Sequence, residues 1–203
     1  MTSQRDAEHT DLPVVLDAVL LDSAATVIGQ HGAGGLTLAR LADAAGVSRM
    51  TLHRRGVTVA GLIAGLSLRA AAELKDALFP VLTATGPAAT RLEQALNAVY
   101  QVADRNLPLL AGLFAGDEGV FHAAPDDSGA LPTHEVFTAP FAKLLADGAA
   151  DGTLREQPDP TEAAAVLFNT AGWGYVQLRH AQRWPAARAR AGVNALVLDG
   201  LRA

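Results

Sequence analysis

Leu36 to Arg55 reads LTLARLADAAGVSRMTLHRR, and this stretch decides the fold. Leu38, Leu41 and Ala42 recur at the three-to-four spacing of one helix face. Thr37 is a cap residue for that helix, about Leu38 to Ala45. Ala45-Gly46 ends it, because glycine takes the left-handed conformation that a helix stop needs. Ser48 caps a second short helix, about Arg49 to Arg55, in which Val47 and Leu52 turn back to the same small core. Two short helices joined by a tight glycine turn over a common apolar face make a helix-turn-helix.

In that geometry the second helix lies in the major groove of DNA, and its early residues reach base edges. Arg49, Met50, His53 and Arg54 point away from the small core. Arginine makes bidentate contacts to guanine, and a methionine side chain packs on a thymine methyl. Ser48 and Thr51 can give hydroxyls to phosphate, and Thr37, Arg40, Arg55 and Thr58 complete the DNA-binding candidates. Between Thr37 and Thr58 four arginines and one aspartate leave a net charge of +3, so the rest of the chain carries −8 of the total of −5. A basic segment on an acidic body meets phosphate with one face and keeps the remainder off the duplex.

The 203-residue chain is half apolar, 18% charged and free of cysteine. This composition predicts a folded, core-forming protein and excludes a disulfide framework and a thiolate metal site. The polar start lacks a secretory signal, and no apolar run reaches the roughly 18–20 residues of a spanning helix, so a cytoplasmic protein without membrane contact is expected.

The remaining segments also read as helices. Alanine and leucine dominate, and no period-two pattern marks a strand. The first helix is expected from about Leu12 to His31, with Pro13 in its first turn and Val15, Leu16, Val19, Leu20, Ala24, Val27 and Ile28 inward. Gly32, Gly34 and Gly35 end it. Thr58 caps a long fourth helix that Pro80 interrupts or closes after Phe79. Thr83 to Pro87 is a loop, followed by helices over about Ala88–Asn106 and Leu107–Ala115. Gly116 to Pro132 reads as a long loop. A seventh helix covers about Thr133–Asp151. Asp159-Pro160-Thr161-Glu162 is a strong start for an eighth, to about Gln182, and Pro185 opens a ninth to about Leu201. The fold class is therefore all-α with about nine helices, divided at 1–57 and 58–203.

The order of these parts resembles the TetR family of transcriptional regulators. LacI-type repressors share the motif, but there it begins almost at residue one and an α/β domain follows. The resemblance spans the chain. It is firmest over Val14–Leu62, with a second echo at PFAKLLADGAADGTLREQPDPTEAAA, Pro140 to Ala165. The family's usual Tyr-x-His-Phe run is here His53, Arg54, Arg55 and Gly56, and a lysine at the start of helix four is Val59. The resemblance implies that phosphate contacts move onto arginine, and that Gly56 removes a packing plug between helices three and four. Arg5 of the N-terminal arm is offset by Asp6, Glu8 and Asp11.

The resemblance further implies a larger helical domain that binds a small molecule and dimerises. The ligand-lining candidates are Asn97, Tyr100, Gln101, Phe114, Phe137, Phe141, Phe168, Asn169 and Trp173, with His134 as a further polar group. Their composition favours a mostly apolar ligand. Helices eight and nine are expected to form a homodimer through Ala163, Leu167, Thr170, Gly174, Leu178, Val193, Leu196, Val197 and Gly200. Gly172 and Gly174 flank Trp173 inside a helix, which implies either a close backbone approach or a bend.

No nucleophile elbow, phosphate-binding loop or zinc-protease motif is present, and Gly32–Gly35 lacks a preceding strand. His122 with Asp126 and Asp127, or His134 with Glu135, lack metal-ligand spacing on a helix. The sequence predicts neither an enzyme nor a cofactor or metal site. It predicts a DNA-binding regulator, a repressor released by its ligand, acting as a dimer on a near-palindromic double-stranded operator. The alternative is a helical ligand-binding or interaction module whose reading head has weakened.

Overall fold

The computed structural model describes residues 17–115 and 134–203, except the side chains of 114, 115 and 134–136. Among them are nine α-helices and no strand. They are α1 Ala18–His31, α2 Leu38–Ala45, α3 Arg49–Arg54, α4 Val59–Thr83, α5 Ala88–Arg105, α6 Leu107–Ala115, α7 His134–Asp151, α8 Pro160–His180 and α9 Ala186–Leu201. A 3₁₀ turn, Ala33–Gly35, lies between α1 and α2.

One local device builds the N-terminal part twice. In Gly46-Val47-Ser48 and Gly56-Val57-Thr58 the glycine stops a helix at φ +66° and +64°. The following N–H groups return to the helix just ended, Val47 to the Ala42 carbonyl at 3.0 Å and Val57 to the Leu52 carbonyl at 3.1 Å. The hydroxyl residue then caps the next helix, Ser48 accepting from Thr51 N–H and Thr58 from Gly61 N–H. Each valine is thereby turned toward the interior. Val57 is buried in the N-terminal core, and Val47 packs against it.

That core joins Leu20, Ala24, Val27 and Ile28 of α1 with Leu41, Leu52 and Leu62, and with Leu109 from the distant helix α6. A second, larger core lies among α4, α5, α7, α8 and α9, around Leu92, Leu96, Tyr100, Phe141, Leu144, Leu145 and Tyr175. The long helix α4 serves both, with Leu62 and Leu66 in the first and Leu74 and Leu78 in the second.

The helix ends depart from the sequence expectation in three places. The first helix starts at Ala18, because the Asp17 carboxylate accepts from Leu20 N–H at 2.8 Å and its own backbone is extended. Pro13, Val15 and Leu16 lie outside the described residues. Val19 is 63% exposed, so the inward stripe begins at Leu20. Helix α4 runs through Pro80 to Thr83. Pro80 is exposed, which leaves water for the carbonyl it cannot bond, and the Thr83 hydroxyl donates to the Phe79 carbonyl at 3.0 Å. Helix α8 ends at His180, two residues early, where Arg183 adopts a left-handed conformation and the chain turns into α9. The long loop read over Gly116–Pro132 and the arm residues Arg5, Asp6, Glu8 and Asp11 lie outside the described residues.

Candidate nucleic-acid interface and ligand cavity

The helix-turn-helix presents its outer face through α3. Arg49, Met50, His53 and Arg54 are all exposed, Met50 by 67%. Among the described residues none of these four is held by a side-chain hydrogen bond or an ion pair. Buried Leu52 is the peg that fixes their direction, since it faces the core from the middle of a six-residue helix.

The hydroxyl candidates are already oriented by capping. Thr37 accepts from Arg40 N–H at 3.3 Å and Ser48 from Thr51 N–H at 3.1 Å. Thr58 accepts from Gly61 N–H at 3.0 Å. The Ser48 and Thr51 hydroxyls are 2.9 Å apart, so one of their two protons is free to point outward. Accepting a cap bond leaves the Thr37 and Thr58 protons to donate to an anion. The two remaining arginines are engaged within the chain. Arg40 donates to the Gly35 carbonyl at 2.7 Å, and Arg55 pairs with Asp17 at 3.1 Å. Asp17, which no sequence motif singles out, therefore caps α1 and holds Arg55 at once.

The ligand candidates separate into three groups. Phe137, Phe168 and Trp173 line a cavity of about 70 Å³ among α4, α5, α6, α7 and α8. Tyr100 and Phe141 are fully buried beside it. Tyr100 stacks on Tyr175 with ring centroids 4.5 Å apart and donates to the Asn194 amide oxygen at 2.9 Å. Phe141 packs against Phe168. Gln101 is exposed, Asn97 is half-buried, and Asn169 donates to the Ala165 carbonyl one turn back. The Phe114 and His134 side chains are outside the described residues, as is the cluster His122, Asp126, Asp127 and Glu135.

The rest of the cavity wall is small and aliphatic, and it escaped the sequence reading. Ala70 and Leu74 come from α4, Val99, Val102 and Ala103 from α5, and Gly172 and Val176 from α8. The available signal was the i, i+3, i+4 spacing of small residues on α5, opposite an i, i+4 pair on α8. Gly172 is not forced by a close backbone: a Cβ there would meet Val99 at an ordinary 3.9 Å, and one at Gly174 would meet nothing within 4 Å. Gly172 simply leaves room at the cavity wall. Among the described residues no three His, Cys, Asp or Glu side chains gather as a metal site, and no helix is long and apolar enough to cross a membrane.

A polar cluster braces this domain beneath the cavity. The Asp104 carboxylate accepts from the Tyr175 hydroxyl at 2.8 Å, Arg179 Nε at 2.8 Å and Arg190 Nη2 at 2.6 Å. Burial alone would raise the Asp104 pKa. The hydrogen bonds from Arg179, Tyr175 and Arg190 outweigh it and hold the carboxyl below its ordinary range. Burial pushes the Tyr100 hydroxyl up, with the neighbouring Tyr175 adding to it.

Helices α8 and α9 leave an outer groove of about 430 Å³, with Ala163, Val166, Thr170, Val197 and Gly200 in its walls. Val166 and Leu196 are exposed by 62% and 83%, whereas Leu167 and Val193 are turned into the core.

Residues 20–55 match the family model described as bacterial regulatory proteins, tetR family. No curated protein matches the chain. The solved ketosteroid transcriptional regulator KstR2 of Mycobacterium tuberculosis is similar over 91% of this chain and 93% of its own, with a TM-score of 0.68 and 18% identity. The TetR family transcriptional regulator PfmR from Thermus thermophilus aligns with a TM-score of 0.67 and 19% identity, over 89% and 97%. A structure described as the molecular basis for control of antibiotic production by bacterial hormones aligns with a TM-score of 0.69 and 21% identity, over 92% and 97%. These likenesses establish a shared fold: a tetR-type helix-turn-helix domain followed by a helical domain. The family matched and these named regulators are transcriptional regulators, not enzymes.

Proposed function

We propose that this chain, which has the reading head and the fold of the TetR-type regulators, is a cytoplasmic transcription repressor released from its operator by a small, mostly apolar ligand. The observation that carries this reading is the outer face of α3, where Arg49, Met50, His53 and Arg54 stand exposed on a helix pinned from behind by Leu52. Residues 1–57 form the reading domain and 58–203 the ligand-binding and dimerisation domain. Two copies associate through α8 and α9, covering Val166 and Leu196. A two-fold pair of α3 helices, roughly 34–36 Å apart or more, then meets successive major-groove faces of a near-palindrome. Thr37, Arg40, Ser48, Thr51, Arg55 and Thr58 serve the phosphates. Phe137, Phe168 and Trp173 serve the ligand from the cavity wall, and Asn97, Tyr100, Gln101, Phe114, Phe141 and Asn169 complete the set of candidate ligand residues.

A mobility-shift titration on the DNA upstream of the chain's own gene tests this. Arg49→Ala and Arg54→Ala should each weaken specific binding by about 1–3 kcal/mol if they contact bases. Absence of salt-dependent binding would leave the second reading, a helical ligand-binding or interaction module with a weakened head. That reading draws on Arg55, whose charge is directed at Asp17, and on the net charge of −5.

A further inference from the structure

The cavity has a neighbour. An outer pocket of about 60 Å³ between α4 and α7 shares Ala71, Leu74 and Phe137 with the inner cavity of about 70 Å³. The Phe137 ring is buried in the partition, stacked on Phe168 with centroids 5.8 Å apart. Even together they hold less than half of the roughly 300 Å³ at which small-molecule sites begin. A ligand of useful size therefore needs both spaces and a turn of the Phe137 ring that opens the partition between them.

The two spaces differ in polarity. The inner wall is aliphatic and aromatic and contains no charged side chain. An ionised group moved there would lose its hydration with nothing to replace it. The outer pocket follows the α4 stripe Ala71, Leu74, Leu78 and Leu82 and opens beside Lys75, the one charged residue lining either space among the described residues. Lys75 is exposed and, among the described residues, forms no ion pair.

We propose that the effector is an elongated apolar acid, its body threaded past Phe137 into the inner cavity and its carboxylate left at the mouth beside Lys75. This rests on the cavity being the effector site. It adds the chemical class: one anionic end on an otherwise apolar molecule.

Calorimetric titration of the full-length chain with decanoate and with decan-1-ol tests it without DNA. Lys75→Gln should weaken decanoate about five-fold, the reach of an exposed ion pair, while decanol changes by less than about two-fold. Phe137→Trp, which enlarges the partition, should weaken both probes to a similar degree. A Lys75→Gln chain that keeps its decanoate affinity, or loses decanol equally, overturns the anionic end. Failure of both probes to bind the unaltered chain overturns the joined site. Operator binding is read separately, so either failure is distinguishable from a failure of the regulator reading itself.

Discussion

Leu109 and Leu110 are adjacent in α6 and serve different cores: Leu109 is buried with the helix-turn-helix, and Leu110 lines the cavity. A ligand that moves one side chain moves the helix that seats the other. The contact is tight, because a Cβ on Gly112 would lie 2.1 Å from the Ala33 Cβ in the turn between α1 and α2. Gly112→Ala must push α6 away from the head, at about 1–3 kcal/mol for an overpacked contact. Thermal unfolding and the ligand dependence of operator affinity should both change. If neither differs from the unaltered chain, α6 is no link between the two cores.

Gly56 stands where the family pattern has phenylalanine, and its φ of +64° explains the difference. It is the stop residue of α3, and the buried plug is its neighbour Val57. The joint between α3 and α4 is thus closed by a different residue, one position later. Gly56→Ala should cost about 1–2 kcal/mol in urea unfolding, and Gly56→Phe should cost no less despite restoring the family residue. A stabilised Gly56→Phe chain would contradict this account.

The caps made the helix-turn-helix legible. Thr37, Ser48, Thr58 and Asp159 each announce a helix by a side chain whose partner lies two or three residues away, so the sequence contains the whole interaction. Burial in the larger helical domain was less legible, because the facing of α5 depends on which helix packs on which side. Tyr100 is a ligand candidate by residue type, and its hydroxyl donates to Asn194 of α9, 94 positions on, a partner that no local pattern announces. On α5 the cavity is lined by Val99, Val102 and Ala103, whose i, i+3, i+4 spacing marks a shared face but not the helix which that face meets. Pro80 misled for a similar reason: a proline costs a helix less where its orphaned carbonyl meets water.

Asp17 holds one arginine for which a DNA phosphate would have to compete. Its Oδ1 caps α1 while Oδ2 pairs with Arg55, both groups about half exposed. Asp17→Asn keeps an acceptor for the cap and releases the guanidinium. Its effect on stability should stay below about 1 kcal/mol, as for exposed pairs generally. Operator affinity should rise at low salt, and the slope of log K against log salt should steepen by up to about 0.9, one phosphate contact. An unchanged slope would mean that Arg55 does not face phosphate.

Asp104 ties α5 to α8 and α9 through Tyr175, Arg179 and Arg190. Replacing it by asparagine leaves two arginines without their anion, and Asp104→Asn should cost roughly 2–3 kcal/mol at pH 7, the scale of a charge-assisted hydrogen bond. The folded-state pKa is lowered, so this stabilisation is complete above the ordinary carboxylate value of about 3.9 and is lost as the pH falls through the folded value. Urea unfolding of both chains at pH 7 and in steps below pH 4 should therefore converge toward acid. A gap between them that persists unchanged down to pH 2 would show that asparagine disturbs the packing around Tyr175 rather than removing a charge.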